Sequence, residues 1–307
     1  MLTESNANYV LDEVVTAVAF DAGFVSPSYM AELFFAREMT GRRERTASVA
    51  GFTEFATKPE TQEAGLDELV QQYEKTFVPV AKSKNTVYSR ELARDEEWGM
   101  IAGMSRNFGD SFNVTVEKAA AALFNDSFAG ATYLCESGDS ICNAAHVNVD
   151  GGNSQSNYGT NALDMAGVKA TRAAMRKTLD YRGVFNCNLD PKLLMCSLDY
   201  EEDAWRIAHS LGRPDTANRA DNMFKDMFDI LCWNLLGDPN TAATLTYWWM
   251  LDTRWTRAKQ NLLWLWRDPF EMMSDGDFFS GTRKVGAYFR AIHGCVDWRG
   301  IYGNIPA

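Results

Sequence analysis

The longest regular pattern of apolar positions in the chain begins near Asp95. Trp98, Ile101, Met104, Phe108, Phe112, Val116, Ala120 and Leu123 recur at steps of three or four, which places them on one face of a helix. Asp95 suits the N-cap, and Glu96 and Glu97 put acid where the helix dipole favours it. Carried on to Phe128, the helix is roughly 50 Å long at about 1.5 Å per residue. A helix of that length crosses a whole subunit. Gly99, Gly103 and Gly109 weaken it and are candidate points of bend.

Upstream the pattern is poorer. Val14-Val15, Phe24-Val25 and Leu33-Phe34-Phe35 are clusters too brief to form a core. Residues 1–50 therefore read as an arm that packs on the body or on a neighbour. The basic knot Arg42, Arg43 and Arg45 within it is either a solvated turn or a salt-bridging contact to an acidic neighbour. Residues 51–90 alternate in short β-prone pieces: Phe52 to Phe55, Thr76 to Val80, and Thr86 to Tyr88. A two-stranded excursion fits them. An isolated hairpin is only marginally stable in water, so this one calls for a partner surface.

Downstream of the long helix, residues 130–162 form a Gly/Asn/Ser-rich loop including Asp150-Gly151-Gly152-Asn153. It carries neither a Gly-Lys-Ser/Thr element nor a G-x-G-x-x-G opening a helix, so turn chemistry accounts for the glycines. A second helix runs from Leu163 to about Tyr181, with Val168, Thr171, Met175 and Leu179 on one side and Gly183 as its C-cap. Asn188 to Pro191 turns into a short strand, Leu193 to Cys196, followed by a third helix over Asp203 to Leu211 and a β-prone stretch from Thr244 to Met250. This alternation predicts a mixed lobe of helix and strand. From about Trp255 the chain reads mostly as β: Leu262 to Trp266, Phe278-Phe279, and Lys284 to Val296. Those strands must pair with something upstream, so the lobes are discontinuous in sequence.

Composition narrows the function. The chain has 307 residues, 46% hydrophobic and 23% charged, enough for one large core or two smaller ones. With 30 basic against 41 acidic residues the formal charge is −11. A protein that grips DNA over a broad surface is normally basic, so direct nucleic-acid recognition is disfavoured; a container for DNA is not. The N-terminus lacks the basic and apolar regions of a secretory signal, and the longest apolar stretch, Ala242 to Leu251, is too short for a bilayer. A soluble protein made inside the cell is expected, with no membrane partner.

Six scattered cysteines are expected to be free thiols. Cys135, Cys142 and His146 invite a metal reading, but their spacing is not a standard zinc arrangement and no fourth ligand lies near, so neither a metal nor another cofactor is expected. No Gly-x-Ser-x-Gly is present, and His146, His209 and His293 lie far apart in sequence. His209 is expected on a helix and His293 in a sheet. Glu96-Glu97 and Glu201-Glu202 read as helix-start charges rather than acid–base partners. No catalytic residue is assigned.

The closing run, Asp277-Phe278-Phe279-Ser280-Gly281 through Val296-Asp297-Trp298-Arg299-Gly300-Ile301-Tyr302-Gly303, resembles the C-terminus of tailed-bacteriophage major capsid proteins of the HK97-fold superfamily, in particular the phage Mu-like head subunits. Ser89 to Leu92, Ala122 to Phe128 and Asn188 to Leu194 resemble the same family in the same order. The resemblance implies an α+β capsid fold: an N-terminal arm (1–50), an extended E-loop (51–90), a P-domain with its spine helix and following loop (91–162), an A-domain (163–255), and a return to P-domain strands (256–307). It implies a structural protein that self-assembles into pentamers and hexamers of an icosahedral shell around double-stranded DNA, in a virion assembled in the bacterial cytoplasm. Expected partners are other copies of the chain, a scaffolding protein, a portal and a decoration protein. The alternative is an encapsulin-type nanocompartment shell around enzyme cargo. Trp298 and Arg299 are expected to clasp the last P-domain strand against the spine helix, with Gly300 and Gly303 turning the chain. Lys58, Lys75, Lys82 and Lys84 lie in the loop region, where some superfamily members carry a cross-linking lysine; solvated lysines are expected here.

Overall fold

The computed structural model describes residues 28–55, 57–58, 60–61, 63, 66–67, 71–89, 91–92, 95, 100–128, 130, 132–148, 154–212, 221–237, 246–277 and 279–306. In chain order the elements are α1 (Tyr29–Leu33), β1 (Phe35–Glu38), β2 (Glu44–Val49), β3 (Gln71–Phe77), β4 (Val80–Ser89), α2 (Met100–Asn125), β5 (Tyr158–Gly159), α3 (Met165–Met175), β6 (Leu193–Cys196), α4 (Glu201–His209), β7 (Asp229–Cys232), β8 (Trp248–Leu251), α5 (Thr253–Lys259), β9 (Leu262–Asp277), β10 (Thr282–Cys295) and β11 (Ile301–Asn304). The chain divides into two units, both discontinuous in sequence.

The first unit holds the described residues up to Glu44, Phe77–Ala120 and Trp264–His293. Its sheet has the order β1-β9-β10-β4, so a strand from the end of the chain pairs with one from its first third. β10 runs antiparallel to β4 from Thr282↔Ser89 to Ala291↔Val80. Long α2 lays its apolar face on this sheet. Phe108 joins Tyr88, Val285 and Ala287 in a buried cluster flanked by Met104 and Phe270. One turn on, the Phe112 ring lies 4.6 Å from Phe270 and 5.0 Å from Phe289. Such aromatic pairs add to the stabilisation from area burial alone.

The second unit holds Arg45–Thr76, Ala121–Leu263 and the residues from Gly294 onward. Its five-stranded sheet has the order β5-β11-β8-β6-β7. Every residue of β6, β8 and β11 is buried, so these strands read as continuous apolar runs rather than alternating ones. Trp248 and Trp249 of β8 are fully buried, and each indole N–H finds an acceptor: the Asn161 carbonyl at 2.9 Å and the Ser127 hydroxyl at 3.1 Å. α3 caps itself, the Asp164 carboxylate accepting from the Gly167 N–H at 2.6 Å, and buries Val168, Thr171 and Met175.

Several expectations shift. The long helix ends at Asn125 rather than Phe128; Asp95, expected as its cap, stands exposed in a bend with its N–H on the Glu91 carbonyl at 2.9 Å, and Glu96-Glu97 lie outside the described residues. The two-stranded excursion expected within 51–90 is instead β2, which precedes that range, with β3; Phe52 to Phe55 form no strand, and β4, expected within it, belongs to the sheet of the first unit. α3 stops at Met175, and Gly183 (φ +74°) turns a later loop instead of capping the helix. The third helix lies at Glu201–His209. Residues after Asp252 form α5 rather than strand: the Asp252 carboxylate accepts from the Trp255 N–H at 3.0 Å, a local cap that outweighs the aromatic content. β9 runs through Pro269 to Asp277, well beyond Trp266.

Candidate functional site

The segment that carries the family resemblance is a buried polar cluster in the second unit. Asp297 and Arg299 are both almost fully buried and are paired, Arg299 Nη1 to Asp297 Oδ1, at 3.0 Å. The guanidinium also donates to the carbonyls of Leu179 (2.9 Å) and Asp180 (3.1 Å) and lies 4.2 Å from the Tyr181 ring centroid. The Tyr181 hydroxyl completes the ring of contacts by donating to Asp297 Oδ2 at 3.0 Å. A buried ion pair is tolerable only when its remaining donors and acceptors are met, and here they are. Burial, and then the Asp297 carboxylate, push the tyrosine hydroxyl far above its ordinary range, so it remains a donor.

Trp298 stacks on His146, centroids 4.3 Å apart and planes 8° from parallel. Asn157 fixes the state of that histidine. Its amide nitrogen donates to the carbonyls of Ile141 (2.7 Å) and Ile301 (3.1 Å), so its oxygen must accept, and His146 Nε2 at 2.9 Å carries the proton. Burial holds the imidazole neutral. Trp298 and Arg299 thus clasp the 179–181 turn and His146, not the long helix. Gly300 (φ +91°) does turn the chain, whereas Gly303 lies inside β11, where a Cβ would come within 2.5 Å of the Phe128 ring. Gly303 is a close-packing position rather than a turn.

The cluster extends to the β2–β3 hairpin. Lys75 donates to the Cys295 carbonyl at 2.7 Å and to the Leu134 carbonyl. The Ser48 hydroxyl donates to Glu136 at 2.5 Å. Burial raises Glu136 from an ordinary 4.5 to about 7, opposed by the Ser48 bond and helped by the Asp297 charge. Lys75, expected as a solvated lysine, is thereby a structural one. The connection between β2 and β3 is tied back through Asp67, which accepts from the Thr53 N–H and hydroxyl and from Arg182 at 3.0 Å. Those bonds, the Thr53 N–H first, lower its carboxyl to about 2.

Arg45 pairs with Glu74 across the hairpin at 3.2 Å, both side chains about half exposed, a contact worth little in water. Arg42 and Arg43 are exposed in the bend before β2. Gly103 has open space where a Cβ would stand, Gly109 is buried, and Gly99 lies outside the described residues. His209 ends α4 with its Nδ1 3.2 Å from Asp226, and His293 sits in β10 stacked on Trp264 at 4.8 Å. Cys135 lies against Cys295, sulfurs 3.6 Å apart, while His146 is engaged by Asn157. Among the described residues no group of three or more His, Cys, Asp or Glu could hold a metal ion, and no helix is long and apolar enough to cross a membrane.

Tyr181, Glu136 and Lys75 give no sign of their role in sequence, because each is more than a hundred residues from the run it supports. Local spacing reveals only the Asp-x-Arg pair.

The second arrangement of note is a sheet edge among the described residues. β4 is the terminal strand of its sheet, and Val80 to Asn85 are exposed without a break, as is Val87. At the far end of the β9–β10 hairpin Phe279 is 98% exposed, and Phe55 and Leu66 are fully exposed in the loop after β2.

A model of the phage capsid protein family matches residues 73–304. No curated protein sequence matches the chain. The fold is similar to the capsid of cyanophage P-SCSP1u (TM-score 0.59, 12% identity, 92% of this chain and 89% of that one). It is similar to the structure from Microbacterium phage Oxtober96 (0.58, 11%, 92% of each chain). The procapsid of bacteriophage JBD30 also matches (0.53, 13%, 99% and 76%). With the family model covering most of its length and an HK97-like α+β fold, the chain belongs to the phage capsid protein family: it is a structural protein that assembles with copies of itself into the shell of a virion.

Proposed function

We propose that the chain is the major head subunit of a tailed phage, forming the pentamers and hexamers of an icosahedral shell around double-stranded DNA. The observation that carries the finer reading is β4. An edge strand whose first six residues are all exposed, with exposed Val80 and Val87, is unusual on a protein that works alone, because it templates association. The β2–β3 hairpin with its loop corresponds best to the E-loop, α2 to the spine helix, the first-unit sheet to the P-domain, and the β5-β11-β8-β6-β7 sheet with α3 and α4 to the A-domain. The acidic balance suits a wall that holds DNA without gripping it. The subunit's role is mechanical: several modest contacts with several neighbours add up through multivalency.

A capsid of JBD30 is decorated with minor capsid protein trimers; a decoration partner, together with scaffolding and portal proteins, is proposed for this chain on the same footing. The encapsulin-type alternative is not favoured, since the family and the similar structures are those of phages. Assembly in the bacterial cytoplasm follows from the same reading. Negative-stain microscopy of the purified chain, with and without its co-expressed neighbours, tests it: closed angular particles or capsomer rings are expected, and a monomer under every condition would overturn it.

A further inference from the structure

We propose that Cys196 and Cys232 are a disulfide-acceptor site: a low-molecular-weight disulfide oxidises them to an intrachain bond that ties edge strand β7 to β6. The two residues are register partners at the ends of parallel strands β6 and β7. Their sulfurs lie 3.6 Å apart, a separation that small side-chain rotations close. β7 is four residues long and, among the described strands, sits at the sheet edge with β6 as its one neighbour, so it is the strand that a covalent tie would hold most.

Reactivity separates Cys232 from the other cysteines, Cys196 included, whose thiol is buried and raised by its hydrogen bond to Cys232 and by burial. Cys135 and Cys295 are equally close, 3.6 Å, but both are buried, and the Cys295 thiol is spent on the Asp297 carbonyl at 3.2 Å. Cys142 and Cys187 are buried, and burial raises both thiols, Cys187 to about 11. Cys232 alone is partly exposed. The hydrogen bond from Cys196 lowers its thiol, against opposition from burial and Glu201. An accessible thiol with a stabilised thiolate is the one that reacts first.

The exchange balances in two steps. The Cys232 thiolate attacks one sulfur of the external disulfide, forming a mixed disulfide and releasing one thiolate. Cys196 then attacks the Cys232 sulfur, its proton passing to the second thiolate as that leaves. Two protein thiols lose two electrons, and one external disulfide becomes two thiols. The bond would join positions 36 residues apart and enclose α4. A chain folded in a reducing compartment would thus gain a tie on meeting an oxidising one.

The test uses the full chain, purified under reductant, desalted and incubated with oxidised glutathione. Expected are a mass loss of two hydrogens, a non-reduced peptide linking Cys196 to Cys232, and a melting midpoint higher by roughly 5 °C, reversed by a reducing thiol. Cys196→Ala should accumulate a stable glutathione adduct on Cys232, Cys232→Ser should give neither adduct nor link, and Cys135→Ala should keep the link. Six thiols that remain alkylatable, a link joining any other pair or joining two chains, or an unresolved adduct on the natural chain would each overturn the proposal.

Discussion

Strands β8 (Trp248–Leu251) and β4 (Val80–Ser89) are both β-prone on inspection, yet they stand in opposite surroundings. β8 has β11 on one side and β6 on the other, all four of its residues are buried, and its two indoles find acceptors within the same unit. Among the described residues β4 has one neighbour, β10, and its first six residues are exposed. The first is a strand whose requirements are met inside the subunit. The second is paired on one side only among the described strands, which fits the proposed association with another chain. The difference teaches where damage will register: near β8 and the C-terminal cluster it should appear as lost folding, and on β4 as lost assembly.

The sharpest break on the closed side is Arg299→Ala. It leaves the Asp297 carboxylate buried without its cation, and the carbonyls of Leu179 and Asp180 without donors. Removing one member of such a pair costs about 3–5 kcal/mol. Equilibrium denaturation of the unassembled subunit should show a loss of that size or an insoluble product. A loss below about 1 kcal/mol would mean that the cluster is not what holds the terminus.

Glu136 tests the same cluster from its hairpin side, with a smaller effect and the opposite sign. Its carboxyl in the folded chain titrates near 7 against an ordinary 4.5. The folded state therefore holds the proton more tightly, so this contribution is complete below about 4.5 and is lost as pH climbs to about 7. The side chain is only partly buried, so solvent screening reduces the cost to on the order of 1 kcal/mol. Glu136→Gln should flatten stability over that window and raise it by about this amount at pH 8. An unchanged pH slope would place the titration elsewhere.

Gly103→Ala moves to α2. A Cβ at Gly103 meets nothing, so the subunit should gain up to about 1 kcal/mol from helix propensity. If the glycine serves as a bend point in the shell, particle size or yield should nevertheless suffer. Normal shells from the stabilised variant would remove Gly103 from the assembly argument.

How far the fold could be read from sequence follows the same division. The periodic face of α2 was visible because Phe108 and Val116 bury at helical spacing, with Phe112 half-buried between them. Strand Leu193–Cys196 was visible as an apolar run after a turn, and the strand expected over Lys284 to Val296, which spans Thr282–Cys295, by its alternation. α5 was not, since its cue is one aspartate cap amid tryptophans that favour strand. Nor was the pairing of β4 with β10, which joins residues about two hundred positions apart and leaves no local trace. The terminal run was legible as a family mark and as a clasp, but its partners were misread. Tyr181 and His146 are ordinary loop residues until the chain brings them to Arg299 and Trp298.

The smallest effect on the subunit, and the most telling for the comparison, belongs to β4 itself. Val80 and Val87 are 55% and 56% exposed, so replacing both should change subunit stability by no more than about 0.5 kcal/mol. Glutamate is the better choice than lysine. Val87 stands opposite Lys284 on β10, so an acid there gains a cross-strand partner where a second lysine would face a like charge. A charged edge strand resists pairing with another chain. The Val80→Glu, Val87→Glu double variant should therefore melt like the natural chain and yet fail to form shells, read by thermal denaturation of the subunit beside microscopy of the particles. Intact shells would mean that β4 is solvent-facing in the assembly too, and the surface that joins the copies would have to be sought at the exposed Phe279 of the β9–β10 turn.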